Sequence, residues 1–185
     1  MIGFNVRGAT TAFVSVAISI ALISLGAADD KKYDAGASDT TIRVGNIMPY
    51  SGPASAYGAI GRAITAYFKM VNDRGGINGR KVDFVSYDDA YSPPKTVEQA
   101  RKLVESDEVL LIAGSFGTAG NSAIQRYLNQ KHVPQLYVVS GASRFNDPEH
   151  FPWTMGLGAT YRIETSIYAV EGKAFGEDRG AVPER

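Results

Sequence analysis

Thr118 follows a glycine-containing turn, Gly114-Ser115-Phe116-Gly117, that joins an apolar run to a helical pattern. A helix start offers free backbone N–H groups and a partial positive charge, a setting suited to a carboxylate. The Thr118 hydroxyl adds a donor there, and the glycines let the backbone approach whatever binds. The same hydroxyl can instead cap its own helix, since strand–turn–helix units need caps whatever they bind. A second loop, Ser140-Gly141-Ala142-Ser143, combines small side chains with hydroxyls. It exposes backbone C=O and N–H groups, and an ammonium group needs such acceptors; the plainer reading is a tight turn. Tyr57, shortly after Ser51-Gly52-Pro53, can flank a ligand or pack against its helix. Asp88-Asp89 is a pair suited to acid–base work. No histidine or lysine sits within that motif, and a carboxylate in such a place more often organises the loop that follows.

Other chemistries find no support. The glycine spacing around Thr118 is not Gly-x-Gly-x-x-Gly, and no Gly-Lys-Ser/Thr follows, so a dinucleotide or P-loop site is not expected. Gly141-Ala142-Ser143-Arg144-Phe145 fails the Gly-x-Ser-x-Gly elbow at its last position. His132 stands beside Lys131 where a helix C-terminus favours positive charge. His150 stands in the polar turn Asp147-Pro148-Glu149-His150. Neither has a partner at metal-ligand spacing. The absence of cysteine excludes disulfides, a thiol nucleophile and cysteine-ligated metals. The expectation is a protein without catalysis, cofactor or metal. Lys+Arg and Asp+Glu both number 19, and this zero net charge argues against a nucleic-acid partner.

The loops need a scaffold, and 185 residues with 44% hydrophobic and 21% charged residues are ordinary globular values. Thr41–Met48 alternates like a strand. Residues 56–72 read as a helix with Ile60, Ala63, Ile64, Tyr67, Phe68 and Val71 on one face, stopped by glycines 75, 76 and 79. Residues 81–87 form the second strand. Residues 95–106 form a helix with Val97, Ala100, Leu103 and Val104 inward. Residues 109–113 are continuously apolar, the mark of a strand covered on both faces. Residues 118–130 make a third helix with Ile124, Tyr127 and Leu128 inward, and residues 134–139 a fourth strand. This β-α-β-α-β-α-β order predicts an α/β fold: a doubly wound parallel sheet in three αβα layers. Ligands in such sheets sit outside the carboxyl ends of the strands. Those ends are residues 49–57, 88–92, 114–118 and 140–144.

Residues 1–28 read as a signal peptide. Arg7 is followed by a fourteen-residue apolar run at 12–25. That run covers ~21 Å as a helix, short of the ~30 Å hydrocarbon core. Gly26, Ala27 and Ala28 supply the small residues of a cleavage site. Residues 29–40 are small and polar and read as a flexible leader.

Together these segments resemble a known family. The carriers are Thr41-Ile42-Arg43-Val44-Gly45, Pro49-Tyr50-Ser51-Gly52-Pro53 with Tyr57-Gly58, the Asn72 to Gly79 segment, Tyr87-Asp88-Asp89-Ala90, Gly114 to Thr118, and Phe151-Pro152-Trp153-Thr154-Met155. In this order they resemble the type I periplasmic substrate-binding proteins, in the branched-chain amino acid (Leu/Ile/Val) branch that feeds ABC transporters. The resemblance covers residues 41–169. It implies a Venus-flytrap architecture of two α/β lobes, of which this chain carries the first: 41–152 is the substrate-binding lobe I, and 153–170 is the hinge crossover and the start of lobe II. Residues 171–185 are polar, lack a hydrophobic period and read as an aberrant disordered tail. Family members are considerably longer, so the chain reads as a truncated or frame-shifted product, and one wall alone should bind weakly.

The resemblance also implies roles. Thr118 holds a ligand carboxylate, Gly141, Ala142 and Ser143 hold carboxylate and ammonium, and Tyr57 lines the pocket. The family often has Ala-Ala-Thr where this chain has Gly141-Ala142-Ser143, which keeps the hydroxyl. Relatives with a Phe-Pro-Trp-Thr segment include uptake proteins for aromatic acids and other carboxylates. The implied function is the periplasmic, monomeric solute-binding component of an ABC importer, with an ABC permease as partner of a complete protein. Its ligand would be a small carboxylate such as a branched-chain amino acid. The alternative is an extracellular ligand-sensing domain of a receptor or regulator, which uses the same lobe. Past the crossover, the apolar Ile163, Ile167, Tyr168 and Val170 are expected to remain partly exposed.

Overall fold

The computed structural model describes residues 33–174. The expected signal peptide, the leader up to residue 32 and the tail from residue 175 lie outside the described residues. Five strands form one parallel sheet: β1 (Thr41–Met48), β2 (Lys81–Asp88), β3 (Leu111–Ala113), β4 (Gln135–Val138) and β5 (Thr154–Gly156). Their spatial order is β2-β1-β3-β4-β5. β1 and β2 pair along their full length, from Thr41 opposite Lys81 to Met48 opposite Asp88. On its other side β1 pairs with β3, Val44 opposite Leu111. The helices are α1 (Gly58–Asp73), α2 (Pro93–Arg101), α3 (Thr118–Lys131) and α4 (Tyr161–Ala174).

Alternation along β1 explains the layers. Gly45 abuts Leu103 and Val109, and Ile47 joins Ala100, Leu103, Ile112, Ile124 and Leu128 in the core beneath α2 and α3. The neighbouring residue Met48 points the other way, toward Gly61 of α1. Successive strand residues face opposite sides, so one strand serves both helical layers. The expected doubly wound fold is thus present. The chain leaves β1 toward β2 on one side and β3 on the other, which makes the gap between the carboxyl ends of β1 and β3 a topological switch point.

Some details differ from the pattern. In α1, Ala63 and Tyr67 were expected inward and are exposed. The close approach is made by buried Gly58 and Gly61. A Cβ on Gly61 would fall 2.2 Å from the Tyr50 hydroxyl and 2.9 Å from Met48 Cγ. A glycine face lets a helix come nearer to a sheet than an isoleucine stripe does. Ile64 and Phe68 stay half-buried, and Phe68 packs on Phe84 with ring centroids 5.4 Å apart.

The second helix begins two residues earlier than expected, at Pro93-Pro94, whose missing N–H groups and fixed φ suit a first turn. From Lys102 to Ser106 it winds as a π-helix. The residues just before β3 are anchored rather than fully laddered: Leu110 N–H donates to the Arg43 carbonyl at 3.0 Å. The expected leader ends in a held turn. Arg43 N–H donates to the Gly36 carbonyl at 2.7 Å, and Ser38 Oγ accepts from the N–H groups of Thr40 and Thr41. Finally, α4 runs to Ala174, into the segment expected as a tail.

Candidate ligand-binding cleft

The β3–α3 turn needs its glycines. Gly114 has φ +66° and Gly117 φ +97°, a region that residues with a Cβ rarely adopt. A Cβ on Gly117 would also sit 2.5 Å from the Tyr91 ring. Buried amides pin the turn. Asn46 Nδ2 donates to the Ala113 carbonyl at 2.8 Å. Ile47 N–H donates to Ser115 Oγ at 3.1 Å. Asn121 Nδ2 donates to the carbonyls of Ser115 at 3.1 Å and Gly117 at 2.7 Å. Among the described residues, no buried side-chain nitrogen or oxygen lacks a partner.

Thr118 is the first residue of α3, and the cap position belongs to Gly117, without a side-chain cap. The Thr118 hydroxyl lies 2.7 Å from Ser140 Oγ instead. Ser140 Oγ also accepts the Ala142 N–H at 3.2 Å. The start of α3 and the loop after β4 therefore meet through two hydroxyls.

A hollow of about 360 Å³ opens at this junction, lined by Tyr57, Thr118 and Gly141 together with Tyr91, Phe116 and Ser140. Its wall is aromatic: Tyr57 stacks on Phe116 with centroids 4.2 Å apart and planes at 22°, and Tyr91 tilts against Phe116 at 5.9 Å. Glu164 is the one charged side chain of its lining, and neither histidine lines it. Ala142 and Ser143 line an adjoining hollow of about 290 Å³ that shares Gly141 and Tyr161. Ser143 starts a 3₁₀ turn, Ser143–Asn146, around buried Phe145. Gln125 fixes that turn, donating to the Arg144 carbonyl at 3.0 Å and accepting from Arg144 Nε at 3.1 Å.

Of the five residues expected in the site, the structure thus brings Tyr57, Thr118 and Gly141 to one hollow and Ala142 and Ser143 to its neighbour. It adds Ser140, Phe116, Tyr91 and Tyr161. The first three stand in strand-end loops that the sequence flags as ligand-facing. Tyr161 lies past β5 and carries no such signal. Its N–H donates to the Gly141 carbonyl at 2.7 Å. Hydrogen bonding, first with Thr118 and then with the Gly141 backbone and Ser140, holds its phenol below the ordinary value.

The acidic pair organises loops. Asp88 accepts from the Ser51 N–H and the Ala90 N–H, each at 3.0 Å, and from the Ser51 hydroxyl. Buried Asp89 accepts from Thr96 Oγ1 at 2.7 Å and the Tyr91 N–H at 2.9 Å. It thereby places Tyr91 in the aromatic wall. His132 closes α3 with φ +56° and packs near Trp153, and His150 bonds Asp147 at 2.9 Å. Among the described residues, no three His, Cys, Asp or Glu side chains are grouped to hold a metal. What the cleft offers is hydroxyl donors, a helix start and flat apolar rings, the equipment of a binding site for a small anion with an apolar body.

The model of a family described as periplasmic binding protein matches residues 41–176. The chain is 26% identical over 133 residues to the Leu/Ile/Val-binding protein homolog 7 of Brucella abortus (strain 2308), covering 71% of this chain and 31% of that relative. The chain therefore spans less than a third of that relative's length. Among solved structures, a possible leucine/isoleucine/valine-binding protein from Rhodopirellula baltica SH 1 superposes with a TM-score of 0.68 at 23% identity, over 80% of this chain and 38% of the other. At that identity the likeness shows the fold. A solute-binding protein of an ABC transporter from Rhodopseudomonas palustris BisB5, in complex with 3,4-dihydroxybenzoic acid, has a TM-score of 0.63 at 27% identity, over 74% of this chain and 37% of the other.

Proposed function

The chain belongs to the periplasmic binding protein family, and from that premise we propose that it supplies one wall of a non-catalytic solute-binding cleft serving an ABC importer. The ligand is a small carboxylate, such as a branched-chain amino acid. The observation that carries this reading is the meeting of Thr118 and Ser140, 2.7 Å apart, at the start of α3 and beside an aromatic wall. Hydroxyls and helix-start N–H groups suit a carboxylate. Tyr57, Phe116 and Tyr91 suit the apolar remainder, and Glu164 suits an ammonium group where one is present. Gly141, Ala142 and Ser143 contribute backbone groups and a hydroxyl beside them. The Rhodopseudomonas palustris relative, crystallised with an aromatic carboxylate, supports this class of ligand. The protein acts in the periplasm as a monomer and delivers its ligand to a membrane permease.

The test is a thermal-shift and calorimetric titration with leucine, isoleucine, benzoate and 3,4-dihydroxybenzoate. A ligand that binds only the folded form raises the melting midpoint. One class should raise it in the wild type and do so much less in Thr118→Ala. A cooperative melt unmoved by every probe at millimolar concentration overturns the reading.

A further inference from the structure

We infer that Tyr91 is a specificity-determining residue of the cleft: its ring, fixed past the end of β1 by a left-handed turn, favours a carboxylate with a planar aromatic body over a saturated one of the same size. This rests on the cleft reading above and narrows its ligand class.

The backbone that presents Tyr91 is strained. Ala90 and Tyr91 have φ of +50° and +58°, two successive residues with a Cβ in the left-handed region that such residues seldom enter. The surroundings enforce it. Asp88 accepts the Ala90 N–H at 3.0 Å, and buried Asp89 accepts the Tyr91 N–H at 2.9 Å. The Ser92 N–H donates back to the Asp89 carbonyl at 2.9 Å. Two glycines from other loops make room. A Cβ on Gly52 would lie 2.7 Å from the Ala90 carbonyl oxygen, and one on Gly117 2.5 Å from Tyr91 Cε2. Because β2 and β3 flank β1, the turn after β2 reaches past the end of β1 and lays its ring on the β3–α3 turn. That is the switch point, where ligands of such sheets sit.

The core gains little from this ring. Tyr91 remains 41% exposed and Tyr57 52%. Strain that survives around an open side chain belongs to ligand clamps rather than to packing. Tyr57 and Phe116 spend their facing surfaces on each other, stacked at 4.2 Å. Tyr91 is inclined at 45° to Phe116 and lines the hollow at that angle. The wall therefore presents rings in two planes. A planar ring gains offset or edge contacts there beyond the area it buries, whereas a saturated body gains the area alone.

The experiment titrates the full chain by calorimetry with two matched pairs, benzoate against cyclohexanecarboxylate and phenylalanine against cyclohexylalanine. Isoleucine serves as a probe of the cleft itself. Within the pair whose head group the cleft accepts, wild type should bind the aromatic member about 2- to 10-fold tighter. Tyr91→Phe keeps the ring and should keep that preference. Tyr91→Leu, once its cooperative melt is verified, should bind both members equally. A wild type that binds the saturated members or isoleucine as tightly as the aromatic ones overturns the inference, leaves the cleft reading intact and requires no variant to fold. A preference that persists undiminished in Tyr91→Leu has the same consequence. Binding of none of the five probes by wild type overturns both.

Discussion

Thr118 Oγ1 stands 2.7 Å from Ser140 Oγ, tying the first residue of α3 to the loop just beyond β4. The two belong to different strand–helix units, so their contact makes one surface of two loops. Because Thr118 does not cap α3, its hydroxyl is free for this cross-loop role. Thr118→Ala should therefore cost little helix stability. A double-mutant cycle with Ser140→Ala should show a coupling of about 0.5–1.5 kcal/mol in urea midpoints. Additive losses would mean the two hydroxyls do not interact in solution.

A chain of amides carries the sheet toward β5. Gln135 Nε2 donates to Asn121 Oδ1 at 3.0 Å, Thr154 Oγ1 donates to Gln135 Oε1 at 3.3 Å, and Asn129 Nδ2 donates to Thr154 Oγ1 at 2.8 Å. Gln135, Asn121 and Thr154 are buried. Gln135→Leu should leave Asn121 Oδ1 without its donor inside the protein, at a cost of about 1–3 kcal/mol. Calorimetry should show the melt lowered by about 2–4 °C for each kcal/mol lost. A melt within 1 °C of wild type would contradict the network.

Gly61→Ala sets two effects against each other. Alanine in place of glycine favours a helix by ~1 kcal/mol. Here the added Cβ meets the Tyr50 hydroxyl at 2.2 Å and Met48 Cγ at 2.9 Å. Tyr50 is not free to yield, since its hydroxyl bonds Ser86 Oγ at 2.6 Å, and Met48 is fully buried. Overpacking of this kind costs about 1–3 kcal/mol, so the variant should melt below wild type. A higher melting point would show that α1 can shift outward at no cost.

Asp88 gives a pH signature. Desolvation pushes its carboxyl up, but hydrogen bonds from the Ser51 hydroxyl and from the Ala90, Ser51 and Tyr50 backbone outweigh this and hold it below the ordinary 3.8. A carboxylate with a depressed value stabilises the fold above its unfolded pKa, and the contribution is lost as pH falls through the folded one. Stability should thus drop in acid, below about pH 4, more steeply in wild type than in Asp88→Asn. Parallel pH profiles of urea midpoints for the two proteins would rule this out.

Much of this protein was legible in its residues. The alternation from Thr41 to Met48, the apolar run before Gly114 and the glycine stops are local signals, and they determine a parallel α/β order because side-chain period and turn chemistry act within a few residues. The same locality identified the strand-end loops and Thr118, Gly141 and Tyr57 within them. It could not tell that Asp89 would place Tyr91, nor that Gly61 rather than Ala63 would meet the sheet, because close packing depends on which surfaces the sheet brings opposite one another.

What only the tertiary structure decided is the meeting of distant residues. Tyr57 stacks on Phe116, Thr118 meets Ser140, and Tyr161 lies over Gly141. Sequence periodicity orients a side chain relative to its own helix or strand. Strand order and crossover direction alone decide which loop ends share an edge, and so which hydroxyls and rings share a cleft.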